Sequence, residues 1–279
     1  MTGKIPGDDL FATASARHPS IRTGIGGWVF APWRNNFYPA GLVQKRELEY
    51  ASRQLATIEI NGTYYGAQKP ATYAKWRNET PEGFVFSLKA PRIIVEMRKL
   101  AGTRKLVEGF VSGGLAEFGD RLGPLLWQLG PHRPFDADDI AAFLDLLPQQ
   151  LDGQPLRHVL EVRHDSFRSD AYIELMRGRG RASVFTDSPD YPSFADVTGD
   201  FVYARLMRSR SDISTGYAPA DLDAWAARTR LWAEGGIPED LPTVQETTAT
   251  KTARDVFVYF ISSAKERNPA AAMALSTRL

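Results

Sequence analysis

Short apolar runs, bounded by Gly, Pro, Asn or Asp, alternate along this chain with longer stretches of helical spacing. The runs lie at 21–26, 57–61, 84–89, 125–129, 158–162, 183–186, 201–206 and 256–260. Their lengths suit strands rather than helices. Helical spacing predicts helices over 44–54, 70–77, 136–147, 171–176 and 221–234, and a closing helix over 270–279. A further helical stretch over 99–120 is broken at Gly113-Gly114. Pro70 suits a first turn, and Gly178 and Gly180 supply a stop. Eight strands, most of them separated by helices, predict a parallel sheet with crossover helices. At this length the sheet closes as a (β/α)8 TIM barrel, one domain over 21–279. A doubly wound open sheet is the alternative, weakened because no GxGxxG or P-loop follows the first strand.

Three stretches fall outside the alternation. Residues 1–20 read as a flexible N-terminal extension without the apolar core of a signal peptide. A polar loop follows the seventh strand. Residues 235–255 form a long insertion, expected as a mobile surface loop on the N-terminal face of the barrel. The chain has 279 residues, 43% hydrophobic and 24% charged, an ordinary globular balance. No run approaches the roughly 18 apolar residues of a membrane span. Cysteine is absent, which excludes disulfides and thiol chemistry and fits a cytoplasmic setting. A net charge of +1 provides no basic field for nucleic acid.

Chemistry gathers at the strand ends. Side chains alternate along a strand, so Glu59 and Asn61 share one face while Ile58 and Ile60 share the other. The same reading places Ser87, Lys89, Gln128, Glu161, Arg163, His164, Asp187, Tyr203, Arg205 and Tyr259 at ends that meet at one barrel mouth. Glu59, Glu161 and Asp187 are the candidate acid–base groups. Lys89, Arg163 and Arg205 are candidate anion ligands, and Arg offers a fork for phosphate or carboxylate. Asn61, Gln128 and Tyr259 are candidates to orient hydroxyls, and His164 is a further candidate to bind substrate. Converging charges of both signs also describe structural ion pairs, but so large a set is costly to bury for stability alone.

Other chemistries fit less well. Of the four histidines, only His164 lies at the mouth, so a transition-metal site is not expected. Mg²⁺ held by carboxylates and substrate has no support in particular residues. No cofactor is therefore expected. Glu59 and Glu161 come from strands nearly opposite, as an inverting glycosidase pair would. Lys89 would form a Schiff base only if its neighbours lowered its pKa; beside acids it reads as an anion ligand. Ser87 lacks a His partner for a triad. An aromatic loop holds Trp28, Trp33, Phe37 and Tyr38. Trp33 and Phe37 read as packing, whereas Trp28 and Tyr65 are candidates to stack on a ligand ring. Arg177, Arg179 and Arg181 read as a solvated turn on the opposite face.

The ordered motifs resemble the domain-of-unknown-function 72 family, the YecE-like proteins, over about residues 21–279. They are Gly24-Ile25-Gly26-Gly27-Trp28 with Trp33 and Phe37-Tyr38-Pro39, and Glu59-Ile60-Asn61 with Thr63 and Tyr65. Trp76, Thr80-Pro81 and Phe84, then Phe86 to Lys89-Ala90-Pro91, follow. Next come Leu122-Gly123-Pro124 with Gln128-Leu129, Glu161-Val162-Arg163-His164, Tyr203-Ala204-Arg205-Leu206 and Tyr259-Phe260. The resemblance implies a TIM barrel, similar to those of endonuclease IV and the sugar isomerases at the level of fold, and carries no activity to transfer. Met207-Arg208 stands where the family often has His-Gly, Ile261-Ser262 where it often has paired Asn, and Gly130-Pro131 where it has Pro-Pro. Altered specificity or weakened activity is the expected consequence if the family's site uses those groups.

The expected function is that of an enzyme acting on a polar or anionic small molecule, such as a phosphorylated or acidic sugar. Two alternatives stand beside it. One is a non-catalytic module binding a metabolite or partner. The other is a nucleic-acid phosphodiesterase like endonuclease IV, disfavoured by the near-neutral charge.

Overall fold

The computed structural model of the protein describes residue 18, residues 20–246 and residues 251–279. Eight parallel strands close into a barrel. They are β1 (Ile21–Gly26), β2 (Thr57–Ile60), β3 (Val85–Lys89), β4 (Leu122–Gln128), β5 (His158–Glu161), β6 (Ala182–Asp187), β7 (Phe201–Leu206) and β8 (Asp255–Phe260). Each pairs with its neighbours in chain order, and β1 closes on β8. The outer ring holds α1 (Glu47–Gln54), α2 (Pro70–Glu79), α3 (Arg104–Ser112), α4 (Ala137–Leu146), α5 (Asp170–Gly178), α6 (Pro219–Ala233) and α7 (Asn268–Ser276).

Strand alternation builds two cores. Ile58 and Ile60 face outward into the large cluster shared with the helices. Inside the barrel, Leu126, Val159, Val184, Phe201, Tyr203, Phe257 and Tyr259 pack as a separate cluster, so the barrel is filled rather than hollow. β1 and β2 approach closely at Gly24, where a Cβ would lie 2.0 Å from the Thr57 carbonyl oxygen. β4 begins three residues before the expected start at 125 and includes Pro124. The proline cannot donate to the ladder, and the β3–β4 register is irregular there, pairing Phe86 with Leu122 and then Leu88 with Leu125.

One crossover breaks the pattern. Between β6 and β7 no helix forms among the described residues. Phe194 packs on Tyr172 of α5, and residues 195–198 border Ser183, Phe185 and Val202. This segment is tied to the insertion that the sequence presents as a mobile loop. The Ala195 amide donates to Pro242 O (2.7 Å). Asp196 accepts from the amides of Val244 (2.7 Å) and Gln245 (3.0 Å). Leu241 and Val244 pack against the outer core. Residues 235–246 thus share in covering the barrel where a helix would otherwise lie, while 247–250 fall outside the described residues. The expected N-terminal extension lies almost entirely outside them too. No helix among the described residues is long and apolar enough to cross a membrane.

Candidate functional site

The interior carries a chain of hydrogen bonds that climbs toward the C-terminal mouth. At its base Thr57 donates to Val85 O (2.7 Å) and lies 2.7 Å from the Tyr259 hydroxyl. Tyr259 stacks on Tyr203, ring centroids 4.8 Å apart, and Ser87 Oγ lies 2.9 Å from the Tyr203 hydroxyl. Tyr203 in turn donates to Glu59 Oε2 (2.7 Å). Burial and then Glu59 push the Tyr203 phenol well above its ordinary range, so it stays a donor at neutral pH.

Arg205, at the end of β7, joins the two carboxylates. Its Nε and Nη2 donate to Glu59 Oε2 and Oε1 at 3.2 and 3.1 Å, a bidentate fork, and its Nη1 donates to Glu161 Oε2. Gln128 Nε2 also donates to Glu161 Oε2 (2.9 Å), and Arg163 Nε donates to Glu161 Oε1 (2.7 Å). Burial alone would raise the Glu161 carboxyl; Arg205, Arg163 and Gln128 outweigh it and hold the group down at about 2. Burial would lower the Arg205 guanidinium, but Glu161 and Glu59 raise it above its ordinary value. Both carboxylates are fully buried.

Above this layer opens a cavity of about 680 Å³. Its charged lining is Lys89, Arg163, Arg205 and Lys265, without a lining carboxylate. Trp28, Tyr64, Tyr65 and Trp76 supply aromatic walls, and Asn61, Gln68, Gln128 and Asn268 supply amides. Trp28 meets Trp76 edge to face at 5.0 Å. Tyr65 is 83% exposed at the rim. A Cβ at Gly26 would press on Asn61 Nδ2 at 3.0 Å, and Gly27 adopts a left-handed φ of 72°.

Lys89 places its Nζ 4.0 Å from the Tyr64 ring centroid. Among the described residues it has no hydrogen-bond or ion-pair partner for that nitrogen. Burial first, then Arg205, lower its pKa to about 8 against the opposing pull of Glu59 and Glu161. Lys265 places its Nζ 4.5 Å from the Phe30 ring and 5.5 Å from Trp33, and burial lowers its pKa. Arg163 stacks on Tyr191 at 4.2 Å.

The structure sorts the strand-end residues by what they contact. Glu59 and Glu161 do come together, but neither lines the cavity, and every carboxylate oxygen is occupied. Glu161 at about 2 has no proton to give near neutral pH. In this arrangement their oxygens hold Arg205, Arg163 and Gln128. Asp187 is elsewhere: Arg208 Nε donates to its Oδ1 (2.7 Å), and burial outweighs that partner to raise its pKa. The residue standing where His-Gly was anticipated is thus the one that occupies Asp187. His164 faces away and accepts from the Ser166 amide (3.2 Å), capping a short turn. Tyr259 lies one layer below the cavity. Asn61, Tyr65, Lys89, Gln128, Arg163, Arg205 and Trp28 all line it.

Sequence reasoning missed Lys265, Asn268 and Trp76 as residues of the site. Lys265 was reachable, since it follows β8 closely and the loops after barrel strands converge on one mouth. It is presented by a turn in which Ser262 and Ser263 both take positive φ (61° and 45°), an uncommon conformation for non-glycine residues. Among the described residues no three His, Asp or Glu side chains converge to hold a metal ion.

A closed parallel barrel with a cationic, aromatic-walled cavity at its C-terminal mouth defines a TIM-barrel protein. The chain belongs to the family described as "Protein of unknown function DUF72", whose model matches residues 22–279. It is 29% identical to the UPF0759 protein YecE of Escherichia coli K12 over 134 residues, 48% of this chain and 47% of that protein. The match therefore spans about half the length of that curated relative. A crystal structure of a DUF72 family protein from Thermotoga maritima superposes with a TM-score of 0.70 at 18% identity, covering 92% of this chain and 98% of the other. One from Enterococcus faecalis gives 0.67 at 17% identity, covering 93% and 95%. At these identities the two structures attest the shared fold.

Proposed function

We propose that the mouth binds a polar, anionic small molecule of the size of a phosphorylated or acidic sugar, and that the protein acts on it there. The observation that carries this reading is a charge imbalance. Two sealed carboxylates, Glu59 and Glu161, face Arg205, Arg163, Lys89 and Lys265, four cations on the cavity wall. The two lysines lack an anionic partner among the described residues. A ligand anion supplies the missing charge, the amides suit hydroxyl groups, and Trp28 and Trp76 offer apolar ring faces. The volume is in the range of small-molecule pockets.

Calorimetric titration with inorganic phosphate, glucose 6-phosphate and neutral glucose tests the reading. The phosphorylated sugar is expected to bind best and glucose weakly or not at all. Lys265→Ala and Arg163→Ala should each weaken binding by about tenfold, the scale of one charge-assisted hydrogen bond. Equal binding of glucose and glucose 6-phosphate would sink it. The sealed state of both carboxylates favours a second reading, a binding module without turnover. Ligand-induced stabilisation with no product formed across phosphorylated and acidic sugars would select it.

A further inference from the structure

We propose that Lys89 is a nucleophilic amine that condenses with the carbonyl of an anionic aldehyde or ketone held in the mouth. This rests on the anion-binding reading above and names the chemistry of its substrate.

The position is rigid. Lys89 ends β3, and its carbonyl accepts from Thr63 Oγ1 at 2.7 Å. The side chain rises from there into the cavity wall. The acids that would normally hold a lysine protonated are already engaged. Glu59 accepts from Tyr203 and twice from Arg205, and Glu161 from Gln128, Arg205 and Arg163. Around the amine, burial and two guanidinium groups outweigh the residual pull of Glu59 and Glu161. Burial and the guanidinium groups disfavour the ammonium, which is how a lysine becomes a nucleophile. With a pKa of about 8, roughly a tenth of the amine is neutral at pH 7.

The step balances without a further reactant. The amine lone pair adds to the carbonyl carbon, the C=O electron pair moves to oxygen, and the nitrogen proton is passed to that oxygen. The carbinolamine takes a second proton from solvent and loses water, leaving a protonated imine between Nζ and the former carbonyl carbon. The Tyr64 ring, 4.0 Å from Nζ, presents a face that suits the iminium charge. Arg163 and Lys265 line the same cavity, within reach of an anionic group on the substrate. Lys265 itself serves as an internal control. It is also unpaired, but only burial acts on it, with no neighbouring guanidinium to favour the neutral amine.

Reductive trapping tests this. The full chain is incubated with glyoxylate and sodium cyanoborohydride, and carboxymethyl-lysine is mapped by peptide mass spectrometry from pH 6 to 10. Lys89 should be modified at least about tenfold faster than any other lysine at pH 7.5, with a rate profile centred near pH 8. The modification should disappear in Lys89→Arg. Uniform labelling of the lysines, or a Lys89 rate still climbing at pH 10 as the ordinary lysine value of 10.5 requires, would overturn the proposal. Phosphate titration of the same sample separates the two claims. Phosphate binding without selective Lys89 labelling removes the imine and keeps the anion site. Selective labelling without phosphate binding keeps the amine chemistry and removes the anion site.

Discussion

Arg205 is the side chain around which the mouth is assembled, and its worth lies in what it holds. Breaking a buried ion pair from one side leaves an uncompensated charge, at a cost of about 3–5 kcal/mol. Glu161→Gln removes the shared partner of Arg205 and Arg163 while keeping the side-chain shape. It should therefore lower the urea midpoint by the equivalent of about 3 kcal/mol. A carboxylate maintained for catalysis at the expense of stability would behave oppositely, and its removal would leave the midpoint unchanged or higher. That contrast decides between the acid–base role read from sequence and a purely supporting role for the ion-paired carboxylate. The residue types were legible because a strand's period of two puts Glu59, Lys89, Glu161 and Arg205 on one side. Their partners were not, because pairing depends on which strands face one another across the closed barrel. Lys89 shows the consequence most clearly. Acids are indeed near it, yet Arg205 has claimed them.

At the scale of elements, the alternation of strands and helices holds except between β6 and β7. There residues 195–198 and the 241–245 stretch are joined through Asp196. Asp196→Ala leaves the amides of Val244 and Gln245 without their acceptor. It should cost about 1–3 kcal/mol locally. Hydrogen exchange should register this as faster exchange at those two amides, by tenfold or more, with the barrel strands unaffected. Unchanged protection there would show that the contact does not anchor the insertion. This contact was invisible in the sequence. The insertion is polar and proline-bearing, which reads as loop, and its anchor lies about fifty residues away. Pro124 misled in the other direction: a proline argues against a strand interior, but a register irregularity accommodates it.

For the molecule as a whole, the sealed ion pairs make stability depend on pH. The Glu161 carboxyl titrates at about 2 in the folded chain against 4.5 without these partners. Its contribution is therefore complete above about pH 4.5 and is lost as pH falls toward 2. From that shift it is on the order of 3 kcal/mol. Denaturation midpoints should fall through this window, and Glu161→Gln should flatten the fall; parallel curves for the two proteins would remove Glu161 as its source. Lys89 acts with the opposite sense. Its lowered pKa of about 8 penalises the folded state while the amine is charged, so its share of stability rises between pH 8 and 10.5.

The amino-acid pattern by itself determined the barrel, the order of its strands and the gathering of charge at one end. Apolar period and turn residues act locally, and eight parallel strands of this length have few ways to close. Only the tertiary structure decided which charges cancel. Glu59, Arg205, Glu161 and Arg163 come from three different strands and their ends, and they neutralise one another in a layer that no local rule specifies. Closing the barrel brought them within hydrogen-bonding distance, sealed the carboxylates below the cavity and left Lys89 and Lys265 facing it.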